Sequence, residues 1–270
     1  MKKTLTLAIA LCFSAGAFAS DLQQATQAAA KGDYQTAYQQ LLPLAEQGSA
    51  DAQYQLGIMY SRSQGVSLDT KTAANWFKKA AEQGNADAQY NLAISYSLGR
   101  GLPQDAQQAL HWLQQAAEQQ QPDAQFRLGS LYEQGQQGLS QDDHKALALY
   151  QASAAQGNSE AQLNLGMMLT NGRGTDVDHI KALEWFQRAA EQGNADAQNN
   201  LAIMYALGKG TSKNEKMAYM WANLSHYNGG PGDEIVEILN HTMKFTDIRQ
   251  AQKMTETCLQ QGLQNCNTQS

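Results

Sequence analysis

Apolar residues recur along the chain with a helical spacing and, over longer distances, with a period close to 36 residues. An Ala-Gln pair repeats in steps of 36, 36, 37 and 36 residues, and a leucine follows each of its alanines four positions later. After four more positions comes another apolar residue, a tyrosine in four of the five copies. Because residues spaced by four lie on one side of a helix, this pattern predicts an amphipathic helix in each copy, here called helix A.

A second predicted helix, helix B, follows in each copy after one or two glycines. It contains an alanine and, three residues later, a tryptophan in four copies and Leu149 in the remaining copy. It ends in Ala-Ala-Glu-Gln-Gly or a related sequence, in which the glycine is expected to end the helix. The tryptophans are predicted to be large apolar contacts of the core: Trp76, Trp112, Trp185 and Trp221.

A single helix pair of this kind has an apolar face with nothing of its own to cover it. Neighbouring pairs are therefore expected to stack on one another. Three of the five copies have a glycine after the helix A leucine, which is expected to let backbones approach: Gly57, Gly129 and Gly166. The predicted fold is an all-α, right-handed α-solenoid of antiparallel helix pairs, with about five repeats of 36 residues and terminal caps.

The ordered motifs A-x-x-x-L-G-x-x-Y, G-x-G, A-x-x-W and A-A-E-Q-G resemble the Sel-one-like repeat (SLR), a relative of the tetratricopeptide repeat. The resemblance covers roughly Lys31 to Tyr227. The departures are Gln120 in place of a glycine, Leu149 in place of a tryptophan, and one extra residue around Gln136. The resemblance implies a protein that binds other proteins. It also admits an enzyme, because some cysteine-rich relatives have been described as β-lactamases.

The two ends of the chain depart from the repeat and are predicted to be caps. Asp21 to Gly48 keeps part of the motif and is expected to form an N-terminal helix pair. After Tyr227, a Gly-rich loop is followed by two predicted helices. The first includes Glu234 to Lys244, and the second starts after Thr246 as its N-cap, with Asp247 in its first turn. The predicted organisation is a signal peptide at 1–19, the repeat solenoid with its N-terminal cap at 20–228, and a C-terminal helical cap at 229–270.

The first residues are typical of a secretory signal peptide. Lys2 and Lys3 precede an apolar run that ends in Ala-Phe-Ala, which predicts cleavage near Ala19-Ser20. A lipoprotein anchor at Cys12 is the alternative, disfavoured by the bulky leucine before it. The mature protein is therefore expected in the periplasm or outside the cell, without stable insertion in a membrane.

Charge and cysteine content narrow the classes of partner. Loss of the two lysines leaves 17 basic residues against 25 acidic residues and a net charge of −8. This balance excludes a typical nucleic-acid-binding protein, which needs clustered lysine and arginine. The two cysteines that remain in the mature chain, Cys258 and Cys266, are predicted to form a disulfide in an oxidising compartment, with two free thiols as the alternative.

No catalytic, metal or cofactor site is predicted from the sequence. The chain contains no Ser-x-x-Lys and no His-Glu-x-x-His motif, and its five histidines are scattered. The predicted function is an exported scaffold or adaptor that binds a partner protein or peptide in the concave groove of the solenoid. The alternatives are a hydrolase or another cell-envelope enzyme, and a regulator that binds such an enzyme.

One position of helix A is the predicted partner-binding site. The residue immediately before the leucine is polar in all five copies, and these residues are here called the polar row: Gln55, Asn91, Arg127, Asn164 and Asn200. If the row faces the groove, its amides can pair with the backbone of an extended peptide, and Arg127 favours an acidic group. The alternative is that these side chains cap or bridge neighbouring helices.

Overall fold

The computed structural model describes residues 20–268, and all regular secondary structure in that part of the chain is helical. The first helix, α1, covers 20–30, and α2 covers Tyr34–Glu46. The ten repeat helices are α3 Ala50–Arg62, α4 Thr70–Glu82, α5 Ala86–Leu98, α6 Ala106–Glu118, α7 Pro122–Gln134, α8 Asp143–Ala155, α9 Ser159–Asn171, α10 His179–Glu191, α11 Ala195–Leu207 and α12 Glu215–Tyr227. They are followed by α13 Asp233–Thr242, α14 Phe245–Gln261 and a 3₁₀ helix at Leu263–Thr268. The predicted all-α stack of helix pairs is confirmed.

The chain forms two compact units that divide within α7. The first extends to Ala124, and the second begins at Gln125. Within the first unit, successive helices pack against each other from α2 to α6, around small and aliphatic residues such as Leu56 and Leu92. Within the second unit, α8 to α12 pack in the same succession around a larger apolar cluster that includes Phe186.

The repeat helices begin at polar caps that follow one rule. A serine or asparagine caps most of the A helices, whereas an aspartate caps most of the B helices, and each side chain accepts hydrogen bonds from backbone N–H groups of the first turn. These bonds satisfy N–H groups that have no partner inside the helix. The aspartate caps of the B helices are Asp69, Asp105, Asp142 and Asp178.

The glycine after the helix A leucine makes room for an aromatic ring and not, as expected, for the backbone of a neighbouring repeat. A Cβ atom would lie 2.5 Å from the Phe77 ring at Gly57 and 2.6 Å from the Phe186 ring at Gly166. At Gly129 it would lie 3.0 Å from the ring of Tyr150. Each ring belongs to helix B of the same repeat, so the glycines fix the packing inside a helix pair.

The tryptophans of helix B are less buried than expected. Only Trp221 is fully buried among the four, whereas Trp76, Trp112 and Trp185 are half-buried. Cationic side chains lie over two of these rings, since Lys79 Nζ is 4.2 Å from the Trp76 ring centre and Arg188 Cζ is 4.6 Å from that of Trp185. The residue that follows the tryptophan, for example Phe77 or Phe186, fills the core instead.

The C-terminal region contains the two predicted helices, which pack against α12, but two boundaries were predicted wrongly. Helix α13 ends at Thr242 and not at Lys244. Helix α14 begins at Phe245, so Thr246 lies inside the helix and is not its N-cap. Its cap is Lys244, whose extended backbone leads into the helix without a side-chain cap bond, and Asp247 lies in the first turn as expected. A disulfide joins Cys258 of α14 to Cys266 of the 3₁₀ helix, and both cysteines are buried.

Candidate functional site

The polar row is largely half-buried. Within it, only Arg127 is exposed. The amide Nδ2 of Asn91 donates to the backbone oxygen of Asp87 at 2.8 Å, and that of Asn200 donates to the backbone oxygen of Asp196 at 2.9 Å. Both bonds stay within one helix, four residues apart. Part of the hydrogen-bonding capacity of these amides is therefore used by the chain itself, and a role of the row in binding a partner stays a prediction.

A second polar row, which sequence reasoning did not single out, lies inside each repeat. It consists of the glutamines of the Ala-Gln pairs, all of them buried, and is here called the glutamine row: Gln53, Gln89, Gln125, Gln162 and Gln198. Gln162 Nε2 donates to the backbone oxygen of Ala154 on α8 at 3.2 Å, and its Oε1 accepts from Gln192 Nε2 after α10 at 2.8 Å. One side chain thus connects three successive helices. The strict recurrence of Ala-Gln was the available sequence signal.

A groove of about 450 Å³ lies in the first unit, between α3 and α5 and over the start of α4. Its lining combines cationic, amide and apolar side chains, and it is here called the arginine groove: Arg62, Leu68, Phe77, Asn91, Ile94 and Arg100. Asn91 is the member of the polar row that lies in it. Among the residues that the structure describes, neither arginine side chain has a hydrogen-bond or ion-pair partner.

The position of Arg100 follows from the glycines on either side of it. Gly99 ends α5 in the left-handed conformation, with a φ of 66°, which glycine adopts without strain. Gly101 lies so close to Thr70, the first residue of α4, that a Cβ atom would overlap the Thr70 carbonyl group. The Gly-x-Gly sequence therefore holds this loop against the start of the preceding helix B, with Arg100 at the groove.

The second unit has the same loop, and there the arginine is paired. Arg173 lies between Gly172 and Gly174, and its Nη2 is 2.7 Å from Asp143 Oδ1, at the start of α8. Its Nη1 is 2.6 Å from Glu133 Oε1, near the end of α7. The hydrogen bond from Arg173 lowers the pKa of the Asp143 carboxyl group below its ordinary value.

A tyrosine completes this cluster of the second unit. The Tyr150 hydroxyl group donates to Glu133 Oε2 at 2.6 Å and also interacts with the side chain of Asn164, a member of the polar row. Burial is the largest cause of the raised pKa of Tyr150, and the bond to Glu133 raises it further. The side chains of the second unit thus satisfy one another at the position that corresponds to the arginine groove.

The described residues include no group of three or more His, Cys, Asp or Glu side chains that could hold a metal ion. One His–Asp pair is present, with His226 Nδ1 at 2.7 Å from Asp233 Oδ1, and both side chains are mostly exposed. The neighbouring Ser225 hydroxyl group donates to the backbone oxygen of Ala195 at 2.8 Å. These three residues therefore lack the nucleophile-to-base bond of a hydrolase triad.

This arrangement of stacked helix pairs, each closed by buried glutamine bonds, defines a helical repeat protein with its variable side chains at the surface. The Sel1 repeat family model matches residues 50–85, 86–120, 122–158, 159–194 and 195–225. The chain therefore belongs to the Sel1 repeat family, as the resemblance implied. Proteins of this family commonly mediate protein–protein interactions, and the repeat typically forms a scaffold without enzymatic activity.

Solved structures that the chain matches come from several bacteria. A Sel1 repeat protein from Oxalobacter formigenes is 28% identical, with a TM-score of 0.72, and the match covers 88% of this chain and 99% of that chain. A Sel1 repeat protein from Klebsiella pneumoniae is 27% identical with a TM-score of 0.46, covering 74% of this chain and 98% of that chain. An immunity protein from Pseudomonas aeruginosa is 19% identical with a TM-score of 0.48, covering 80% and 83%. No curated protein matches the chain.

Proposed function

We propose that this protein is an exported scaffold that binds a segment of a partner protein on the exposed surface of its A helices. Membership of the Sel1 repeat family carries this proposal, because repeat proteins of this family commonly bind other proteins. The positions that recur in every repeat, such as Leu56 and Leu92, are buried, whereas exposed residues differ between the repeats. Such a division is what a binding scaffold needs, since the site is defined by the surface and the fold by the interior.

Two observations support an extracytoplasmic location. The pattern of residues 1–19 favours a signal peptide, although this part lies outside the described residues. The Cys258–Cys266 disulfide is consistent with an oxidising compartment, because such bonds are rare in the cytosol. In the described residues, no helix combines the length and apolarity required to cross a membrane.

The exposed side chains on and beside the A helices give the partner surface. Leu68, which lines the arginine groove, is 63% exposed. Arg127 is the exposed member of the polar row. Within the first unit, Leu68 lines the same groove as Arg62 and Asn91, and an aliphatic contact next to polar groups is typical of a protein-binding surface.

Site-specific photo-crosslinking in living cells tests this function. A photo-reactive residue is placed at Leu68 or at Arg127, and the matched control is Lys78, an exposed residue in the middle of α4. We expect one discrete adduct from each of the first two positions and none from Lys78. Identification of the adduct names the partner, and an envelope enzyme as the captured protein would specify the scaffold as a regulator.

Absence of an adduct from both Leu68 and Arg127 would overturn the proposal. Equal adducts from Lys78 would do so as well, because they would indicate random encounters. Subcellular fractionation of the same cells checks the location: the mature chain is expected in the periplasmic or secreted fraction. Mass spectrometry of that chain is expected to give an N-terminus near Ser20.

A further inference from the structure

We propose that the arginine groove binds an acidic side chain of the partner together with an apolar side chain next to it. This inference rests on the proposed function and adds the chemistry of the bound segment. It follows from three observations: the two unpaired arginine side chains of the groove, the paired arginine at the corresponding position of the second unit, and the apolar side chains that line the groove.

The cationic character of the groove is not neutralised by the chain. Arg62 and Arg100 both line the groove without an ion-pair partner in the described part of the chain. The nearest carboxylates along the sequence are Asp69 for Arg62 and Asp105 for Arg100. Asp69 accepts hydrogen bonds from Lys71 N, Thr72 N and Thr72 Oγ1 at the start of α4. Asp105 accepts from Gln107 N and Gln108 N at the start of α6, so both carboxylates are engaged in capping helices. A carboxylate of a partner protein could therefore form ion pairs with these guanidinium groups.

The second unit identifies the kind of group that this loop arginine binds. Arg173 occupies the same place in its Gly-x-Gly loop as Arg100, and it is held by two side-chain carboxylates, Asp143 and Glu133. The residues in the corresponding positions of the first unit are Thr70 and Ser61. Neither can carry a negative charge, so the first unit keeps the arginine and lacks the two carboxylates. A carboxylate of the partner takes their place.

The apolar part of the groove specifies the neighbour of that carboxylate. Leu68 and Ile94 line the groove with the ring of Phe77 between the helices. At the site of Arg173, the residue that corresponds to Leu68 is Gln141, so an apolar side chain beside an unpaired arginine distinguishes the arginine groove from that site. A volume of about 450 Å³ accommodates one or two side chains and is too small for a folded element. The occupant is therefore a short extended segment with adjacent acidic and aliphatic or aromatic residues.

Affinity selection with a displayed library of random dodecapeptides tests this chemistry on the purified mature protein. We expect enriched peptides to share an aspartate or glutamate next to an apolar residue. The decisive variant is Ser61→Glu with Thr70→Asp, which gives Arg100 the two carboxylates that Arg173 has. Position 70 is in the first turn of α4, where an acidic residue is favourable, and α7 already has Glu133 at the position that corresponds to Ser61, so the variant is expected to fold.

Fluorescence anisotropy then measures the dissociation constant of the most enriched peptide. Because a hydrogen bond to a charged group is worth about 1.5–3 kcal/mol, we expect binding to weaken at least about ten-fold in the double variant and in Arg100→Gln. The matched control is Lys209→Gln, which removes a cation from the same position of another Gly-x-Gly loop. It is expected to leave the dissociation constant unchanged.

Three results would overturn the inference: no enrichment of acidic residues, equal binding by the double variant, or an equal loss in Lys209→Gln. Photo-crosslinking from Leu68 in the double variant distinguishes failure of this inference from failure of the proposed function. An adduct that still forms in the double variant would show that the partner binds without an acidic contact. Absence of any adduct in the unmodified background would instead remove the scaffold function.

Discussion

At the scale of single residues, the repeat is defined by pairs of side chains that fit each other across a helix pair. Glycine on helix A occurs where helix B has an aromatic ring, as for Gly166 and Phe186. Where helix A has alanine, the helix B residue at the position of Phe77 or Phe186 is not aromatic. Leu113 is the corresponding residue in the repeat of Ala93, and Ala222 is the corresponding residue in the repeat of Ala202. The chain thus contains both solutions to one packing problem, and the two residues of a pair depend on each other.

The contact between Gly166 and the Phe186 ring predicts that Gly166→Ala destabilises the protein, although alanine is the better helix former. The added methyl group would overlap the Phe186 ring, at a cost of about 1–3 kcal/mol, which outweighs a gain of about 1 kcal/mol in helix propensity. Urea unfolding followed by tryptophan fluorescence measures the change. In the Phe186→Leu background the same substitution is expected to be neutral or stabilising. An equal loss in both backgrounds would show that the ring is not the cause.

The residue pairs also explain why part of the packing could not be predicted. The spacing of leucines and tyrosines predicts which face of helix A is buried, because only the period of the helix is needed. Which residue of helix B meets Gly57 depends on the angle between two helices, and this angle cannot be derived from one helix alone. The tryptophans stand out by size, yet the neighbouring Phe77 or Phe186 enters the core.

At the scale of the helices, the glutamine row connects neighbouring helices by directional hydrogen bonds, which fix their register more strictly than apolar contacts do. The Gln162 amide donates to one helix and accepts from the end of another. A buried amide is stable only when its bonds are made, so each glutamine favours a single register of three helices. The Ala-Gln recurrence predicted the repeat but not this role, because its acceptor and donor lie in other helices.

Replacement of Gln162 by leucine, which has a similar size, is expected to destabilise the protein by about 1–3 kcal/mol, because it leaves buried backbone and amide groups without partners. The matched comparison is Asn200→Ala, where the lost bond is to the same helix and the site is half-exposed; a change within about 0.5 kcal/mol is expected. Urea unfolding midpoints give both values. If Gln162→Leu is as mild as Asn200→Ala, the glutamine row does not hold the helices together.

The aspartate caps of the B helices are expected to make the stability of the folded protein sensitive to acid. The backbone N–H of Lys181 is the main cause of the lowered pKa of Asp178, whose ordinary value is 3.8. A carboxyl group with a lowered folded pKa stabilises the protein above its ordinary pKa, and this contribution is lost as the pH falls through the lowered value. The same direction holds for Asp69 and Asp142.

The Asp178→Asn variant is therefore expected to lose less stability on acidification than the unmodified protein. Asparagine keeps the cap bond, as Asn214 does at the start of α12, but does not titrate. Urea unfolding midpoints at about pH 7 and about pH 3 give the comparison. A variant with the same pH dependence as the unmodified protein would contradict the assignment of the acid sensitivity to this cap.

At the scale of the whole molecule, a stack of repeats leaves an apolar face at its last helix, and that face needs a cover. In the second unit, α13 and α14 pack against α12, whose Tyr219 and Trp221 are buried. The disulfide closes the far end of α14 against the 3₁₀ helix. The sequence predicted both helices from the break in the repeat, whereas the start of α14 was missed because its N-cap has no capping side chain.

The cap predicts the behaviour of a shortened chain. A protein ending at Asn228 keeps all five repeats but exposes the apolar face of α12, so it is expected to self-associate and to bind a fluorescent apolar dye. The matched control keeps the whole cap and replaces Cys258 and Cys266 by serine; loss of the disulfide is expected to cost about 2–3 kcal/mol without association. Analytical ultracentrifugation and dye fluorescence distinguish the two. A monomeric shortened chain without dye binding would show that α12 needs no cover, and residues 229–270 would then be free to serve the partner instead.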